Sequence, residues 1–418
     1  MPALNLKALK KSNKVICGVD VGTSKVAVVM AQKNEHGHLE IIGFGSAPSN
    51  GVRKGTIVSI EDVVSSISTA VEEAEQTSGV SISHAIVSIG GAHIASLTSK
   101  GVVAIASQGN NIREEDVYRA ITASQAVTVP ANHEIIHTVP QKYKVDEHDG
   151  VKDPVGLSGV RLEVASTIIY GFTPAITNLS KCVFQAGVDI DEMVAAPLAS
   201  SKAVLSDHQK ELGVMLVDIG AGTTSLACFE EGDLLYSVVL PVGSAHITND
   251  IAIGLRCSVE AAEKIKLQQG AADPKEIKEG PAIEMSRFEE KEEGQVSRKY
   301  LAQIIHARVD EILNLISEEL KKIGKSGMLP AGIVFTGGGA KLPGLMDVAK
   351  AKLKLPVHIG SIHELKGVVD KIDDPSYAGS IGLVIWGAEE KGSHLPFSLQ
   401  NRALYSKMRK WFRSFLPN

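Results

Sequence analysis

The chain is poor in aromatic residues, which make up 4% of its 418 positions. So few rings cannot build the stacking platforms that hold single-stranded nucleic acid. It also lacks an excess of positive charge. A formal net charge of −5 offers no general attraction to a phosphate backbone, and no nucleic acid is expected as a partner. Cysteine is nearly absent: Cys17, Cys182, Cys228 and Cys257 stand alone, without a CxxC pair and mostly within apolar stretches. They read as small buried hydrophobes in a reducing compartment. No run approaches the roughly 20 apolar residues of a membrane span. The first residues carry Lys7, Lys10, Lys11 and Lys14 without the apolar stretch of a signal peptide, so the bulk of the chain is expected in the cytoplasm.

What is present is an ordinary globular composition, 44% apolar and 22% charged, in a chain too long for one core. Two short loops in it nearly duplicate each other. Asp20-Val21-Gly22-Thr23-Ser24-Lys25 follows the apolar run from Val15, and Asp218-Ile219-Gly220-Ala221-Gly222-Thr223-Thr224 follows the run from Val214. Both read as tight turns between two strands, with an acid at the exit of the first. Glycines let backbone N–H groups close on a phosphate, and successive exposed amides form an anion nest. An Asp beside such a nest makes sense if a divalent cation lies between acid and phosphate, held through water as Mg²⁺ prefers. Two such loops facing each other would clamp one polyphosphate.

The surroundings of the loops repeat as well. Strand, loop, strand, turn, strand and helix (Ile60 to Gln76) follow in the first half; the same order recurs after residue 212, with a helix from near Thr248. An internal duplication with helices covering a mixed sheet in each half is the implied architecture. Residues 84–165 break the pattern and read as a small inserted α+β subdomain with a turn-rich stretch from Tyr143 to Ser158. Asp189 to Leu205 reads as a helix connecting the lobes. The charge run 289–293 reads as an exposed loop.

Two further elements join the loops. Thr336-Gly337-Gly338-Gly339-Ala340 lies between an apolar strand and a helix, where missing side chains let a base or ribose lie on the backbone. Glu263 and Lys266, three apart on one helix face, make either a solvated ion pair or a ribose or adenine contact.

Together these residues resemble the two phosphate loops and the adenosine loop of the actin/Hsp70/sugar-kinase superfamily, with Ala195-Ala196-Pro197-Leu198-Ala199 similar to its lobe-linking helix. Within it the chain resembles the FtsA family of bacterial division proteins. The likeness rests on Ser88-Ile89-Gly90-Gly91-Ala92-His93-Ile94, on the stretch from Asp153 and Pro154 through Gly156, Ser158 and Gly159 to Arg161, Leu162 and Glu163, on Gly243 with Ile247, Thr248 and Asp250, and on Ile305, Arg308, Glu311 and Ile312. The resemblance implies an actin-like (ribonuclease H-like) two-lobed α/β fold. Residues 1–83 and 166–196 would form the first core, 84–165 the insertion, 197–231 and 311–390 the second core, and 232–310 its small subdomain. It implies ATP between the lobes, with Asp20 and Asp218 near the Mg²⁺ shell. Gly22, Thr23, Ser24, Lys25, Gly220, Gly222, Thr223 and Thr224 would hold phosphates, and Gly337, Gly338, Gly339, Glu263 and Lys266 the nucleoside. Asp218 would either orient a hydrolytic water or serve the Mg²⁺, with slow hydrolysis at most. The resemblance further implies self-association into protofilaments, docking of the FtsZ C-terminal tail on the small subdomain, and recruitment of later division proteins. Arg298, Lys299 and Arg308 are candidates for meeting the acidic tail, or a solvated basic face.

After a linker at 391–403, residues 404–416 carry a two-faced pattern. Leu404, Tyr405, Met408, Trp411, Phe412, Phe415 and Leu416 fall on one side of a helix, and Lys407, Arg409, Lys410 and Arg413 on the other. Alone in water so short a helix is marginal. Laid on anionic lipid it buries its rings, while each cation gains about 1 kcal/mol. The tail pattern thus points to a membrane surface, and the resemblance implies that this is the cytoplasmic face of the cell membrane at the division site. Two rivals share the core: a small-molecule kinase, which needs an acceptor pocket and no such tail, and a pilus-assembly relative acting without FtsZ.

Overall fold

The computed structural model describes residues 15–389, except 35, 107, 279–280, 289–293, 363–365 and 368–371. The first half comprises β1 (Ile16–Val21), β2 (Lys25–Lys33), β3 (Leu39–Pro48), the hairpin β4 (Val52–Arg53) and β5 (Thr56–Ile57), α1 (Ile60–Ser78) and β6 (His84–Ile89). The insertion follows as β7 (Ala95–Ala104), α2 (Glu114–Ser124), β8 (His133–Val145), β9 (His148–Val151) and β10 (Arg161–Phe172). The half closes with α3 (Thr173–Gln185), β11 (Asp189–Ala195) and α4 (Ala196–Val204). After α5 (Asp207–Leu212) come β12 (Val214–Ile219), β13 (Thr224–Glu230), β14 (Asp233–Leu240), α6 (Ser244–Leu255) and α7 (Val259–Gln269). The hairpin β15 (Ile283–Glu284) and β16 (Gln295–Val296), α8 (Arg298–Lys322), β17 (Ile333–Thr336), α9 (Leu345–Leu353), β18 (Val357–Ile359), β19 (Lys366–Gly367) and α10 (Ala378–Ala388) complete it.

The duplication is visible in the strand order. One sheet runs β11-β6-β1-β2-β3-β19; the other contains β18-β17-β12-β13-β14, the same order from its edge inward. In each, the first three strands are antiparallel and the remaining two lie parallel to the first. Helices cover both faces, so β2 is apolar on both sides, with Val26 to Ala31 all buried. α1 buries Val63, Ile67, Ala70, Val71 and Ala74 at helical spacing and stops at Gly79, whose φ of 71° suits a left-handed cap.

Three findings differ from the sequence reading. Residues 84–89, counted there with the insertion, form β6 in the first sheet, parallel to β1. Asp189 to Leu205 is a strand and then a helix: β11 pairs with β6, and Pro197 sits in the first turn of α4. The residue before a proline avoids helical backbone, so one helix cannot run through. Tyr143 to Ser158 contains the end of β8 and all of β9, not only turns. The insertion has its own core of Ile105, Ile112, Val117, Ile121, Tyr143, Leu162 and Val164, and β7 meets β14 at Ala95 opposite Val238, continuing the second sheet.

The halves exchange helices. α4 leaves the first sheet and packs on β12, β13 and β17, while α10 leaves the second and packs on β1, β2 and β6. They cross so closely that a Cβ on Gly382 would stand 1.7 Å from the Ala199 carbonyl oxygen.

Candidate functional site

Each duplicated turn is closed by the same bond. The Gly22 N–H donates to the Lys25 carbonyl at 3.0 Å, and the Gly220 N–H to the Thr223 carbonyl at 2.9 Å. Register then fixes the acids: Asp20 lies opposite Ala27 and Asp218 opposite Ser225, each one residue from its strand's end. Both carboxylates face a cleft of about 580 Å³ between the halves, within the usual range for small-molecule sites.

The Ser88 hydroxyl, at the end of β6, donates to Asp20 Oδ1. Ser200, on α4, donates to Asp218 Oδ2 at 2.6 Å. Neither acid makes an ion pair among the described residues. Burial raises the Asp20 carboxyl above the usual range, against the opposing pull of Ser88 and Lys25. Burial, with the Asp20 charge adding to it, pushes Asp218 up to about 6. Lys25 does not neutralise them directly: its Nζ donates to Ser376 Oγ at 2.7 Å and lies 3.2 Å from the centre of the Tyr377 ring. Burial lowers its ammonium to about 8. Two desolvated carboxylates lacking a contacting cation fit a bound divalent ion better than they fit each other. The backbone permits the approach: a Cβ on Gly337 (φ 81°) would lie 2.3 Å from Asp218 Oδ1, and one on Gly379 2.7 Å from Asp20 Oδ2.

Of the sequence candidates, Asp20, Gly22, Thr23, Ser24, Lys25, Asp218, Gly220, Thr223, Glu263, Lys266, Gly337, Gly338 and Gly339 all line this cleft. Two do not. Thr224 is fully buried and donates its hydroxyl to the Val242 carbonyl at 2.8 Å. Gly222 packs on the first loop, where a Cβ would stand 2.7 Å from Thr23 Oγ1. Lys266 is buried, 2.7 Å from Glu263 and 2.8 Å from Thr248 Oγ1, so the pair lines the cleft, with the Glu263 carboxylate still partly open to solvent. Apolar Ile247, Leu267, Leu342 and Pro343 lie on the same side.

Residues that sequence reasoning missed are Ser88, Ser200, Ser376 and Gly379. Ser88 sat in a quoted motif but carried no signal of its own; the others are brought in by helix crossing. Away from the cleft, Arg298 and Lys299 are exposed at the start of α8. Arg308 grips Asp250 with two bonds, 2.6 and 2.9 Å, and Glu311 with a third. The expected linker and helix at 391–416 lie outside the described residues. Among those described, no helix is long and apolar enough to cross a membrane, and no three His, Cys, Asp or Glu converge as metal ligands.

The comparisons with known proteins agree with this frame. A family model described as "Cell division protein FtsA" matches residues 215–382, and one described as "SHS2 domain inserted in FTSA" matches residues 91–170. Cell division protein FtsA of Pseudomonas aeruginosa is 38% identical over 396 residues, covering 95% of this chain and 94% of that protein. The chain belongs to the FtsA family. FtsA of Escherichia coli is 34% identical, covering 91% of each. Among solved structures, a PilM–PilN type IV pilus biogenesis complex superposes with a TM-score of 0.64 at 16% identity, covering 90% of this chain and 99% of that one. MreB5 of Spiroplasma citri bound to ADP gives 0.52 at 14%, covering 95% and 98%. The fold is thus actin-like, and the family's insertion coincides with the β7–β10 unit.

Proposed function

We propose that this cell division protein holds Mg²⁺·ATP in its cleft and works as a membrane-tethered switch. The observation that carries the reading is the pair of desolvated carboxylates, Asp20 and Asp218, facing one cleft from duplicated turns. Asp20 and Asp218 would hold Mg²⁺, through water as that ion prefers, and the ion would supply the positive charge that the buried acids and a polyphosphate both need. Thr23, Ser24, Lys25 and Thr223 offer amides, hydroxyls and one cation to the phosphates, while Gly22 and Gly220, whose N–H groups close the turns, leave the cleft floor open for them. Glu263, Lys266 and Gly337 to Gly339 stand where the nucleoside would lie, beside the wall of Leu267 and Leu342. Asp218 either orients water or serves the ion, giving slow hydrolysis at most.

In this reading the tail 404–416 lies on anionic lipid at the cytoplasmic face of the cell membrane, at the division site. The small subdomain, read from the sequence as residues 232–310 although β14 at its start belongs to the second sheet, receives the FtsZ C-terminal tail; copies of the chain associate into protofilaments, and the insertion helps recruit later division proteins. Family membership and the tail's two-faced sequence support this. Two measurements test it. Calorimetry is expected to show ATP binding that needs Mg²⁺ and is lost in Asp20→Asn. Deleting residues 402–418 is expected to release the protein from anionic liposomes in flotation and to remove co-flotation of FtsZ. Unchanged flotation, or binding indifferent to Mg²⁺, would sink the corresponding half of the proposal.

A further inference from the structure

Lys25 is the one cation that the two duplicated loops carry, and it stands among acids. Asp20, Asp374 and Asp218 attract its charge, while Lys341 repels it. A long, flexible lysine in such company is expected to fall onto a carboxylate and pair with it. Its ammonium is seated elsewhere. Nζ lies 3.2 Å from the centre of the Tyr377 ring and donates to Ser376 Oγ at 2.7 Å.

The seat is held from both halves. The Tyr377 ring meets Phe44 of β3 edge-on, with centroids 5.1 Å apart and planes at 89°. The short 3₁₀ turn that carries it, Pro375–Tyr377, is capped by Asp374, whose carboxylate accepts the Ser376 N–H at 2.9 Å and pairs with Lys341. The Pro375 carbonyl accepts the Thr336 hydroxyl and the Gly337 N–H, each at 3.1 Å. One turn thus touches the cation of the first loop and the backbone of the three-glycine loop.

An aromatic seat differs from an acidic one in what it leaves free. A carboxylate beside Lys25 would cancel its charge and take its donors. A ring face attracts the ammonium through its quadrupole and carries no net charge. One N–H goes to Ser376 and one side of the ammonium lies on the ring, so a third donor remains. The acids keep their lone pairs as well.

We propose that Tyr377, with Ser376, is a positioning residue for polyphosphate binding: the ring holds the Lys25 ammonium off Asp20, so that the lysine serves phosphate and the acid serves a divalent ion. The proposal rests on the Mg²⁺·ATP reading of the cleft. Tyr377 is not among the residues that line the cleft, so it acts through Lys25. Without the ring the ammonium turns to Asp20, and that pair must break before the ligand can bind. A hydrogen bond to a charged group is worth roughly 10- to 100-fold in an equilibrium constant.

The test is calorimetry of Mg²⁺·ATP on the full chain. Tyr377→Leu should bind roughly 10- to 100-fold more weakly, whereas Tyr377→Phe, which keeps the ring, should bind like the parent. In a Lys25→Met background, Tyr377→Leu should cause no further loss. Equal losses in both backgrounds would show that the ring only supports the fold, and would overturn the proposal. Should Tyr377→Leu fail to fold, Ser376→Ala decides. It leaves the ring and its Phe44 contact in place, and should lose roughly 2- to 10-fold with Lys25 present and nothing without it; parental affinity with Lys25 present overturns the proposal. A second readout needs no nucleotide. Urea melts of the parent, Lys25→Met, Tyr377→Leu and the double variant should be non-additive, because each substitution removes the same contact; additive melts overturn the seat. A parent that binds no Mg²⁺·ATP overturns the cleft reading and the proposal together. A parent that binds it, with Tyr377→Leu indistinguishable, overturns the proposal alone.

Discussion

Replacing Asp218 by asparagine is expected to make the ligand-free protein more stable and to abolish its response to Mg²⁺·ATP. The carboxyl is raised from an ordinary value of 3.8 to about 6, chiefly by burial. Below pH 4 the acid is protonated in folded and unfolded chains alike and contributes no difference. As pH rises from 4 to 6 the unfolded chain releases the proton while the folded one retains it, so stability falls. Above 6 both are ionised and the full penalty is present, about 2–3 kcal/mol at 1.36 kcal/mol per pH unit. Asparagine has nearly the same shape, still accepts the Ser200 hydrogen bond, and carries no charge to desolvate. Thermal unfolding without ligand should therefore rise by several degrees at neutral pH, and the gap should close toward pH 4. With Mg²⁺·ATP the order reverses: the parent is stabilised by mass action and the variant is not. The reasoning is refuted if the variant unfolds earlier than the parent at neutral pH, if the gap persists in acid, or if Mg²⁺·ATP stabilises both equally.

Three other outcomes follow from named contacts. His137 is buried, accepts the Ala195 N–H at 3.1 Å, and is held by burial down at about 4. Its neutral form favours the fold, so that contribution is intact above pH 6.5 and lost as pH falls toward 4, at most about 3 kcal/mol; a His137→Gln variant should show a flatter acid limb in denaturant titrations. Gly382→Ala would drive a methyl into the Ala199 carbonyl and should cost about 3 kcal/mol or more in urea melts; a neutral result would show that α4 and α10 are not locked. Arg308→Ala breaks the half-buried grip on Asp250 and should cost about 1 kcal/mol. Its affinity for an FtsZ tail peptide should stay parental, while Arg298→Ala with Lys299→Ala should weaken that affinity.

The fold was legible where the pattern was local and repeated. Asp-x-Gly after an apolar run specifies a strand ending in a tight turn, and two copies specify the duplication. β11 was missed because Asp189-Ile190-Asp191-Glu192-Met193 alternates too weakly to reveal a strand. Only its pairing with β6, and the proline after it, decide against a helix. Thr224 looked like a phosphate ligand because it stands in the loop motif, yet strand β13 begins there and turns its hydroxyl inward to Val242. Ser88 and Ser200 could not be read at all. Their role depends on which strand lies beside β1 and which helix crosses β12, and neither is encoded in local spacing.

That crossing also explains how a site made of two turns can act on the rest of the molecule. Each floor acid is met by a helix delivered from the other half: Asp20 by Gly379 of α10, and Asp218 by Ser200 of α4. Because Gly382 lies against the backbone at Ala199, no side chain separates the two helices at their crossing, and they pack there as one tight pair. The pair ends with Lys202 bonded to Glu389 and Trp386 against His137, where the chain continues toward the tail. A stiff helix of about 16 Å thus runs from the Asp20 carboxylate to the root of the proposed anchor. If the proposed anchor holds, charge neutralised at the cleft floor would have a short route through this helix to the anchor's root.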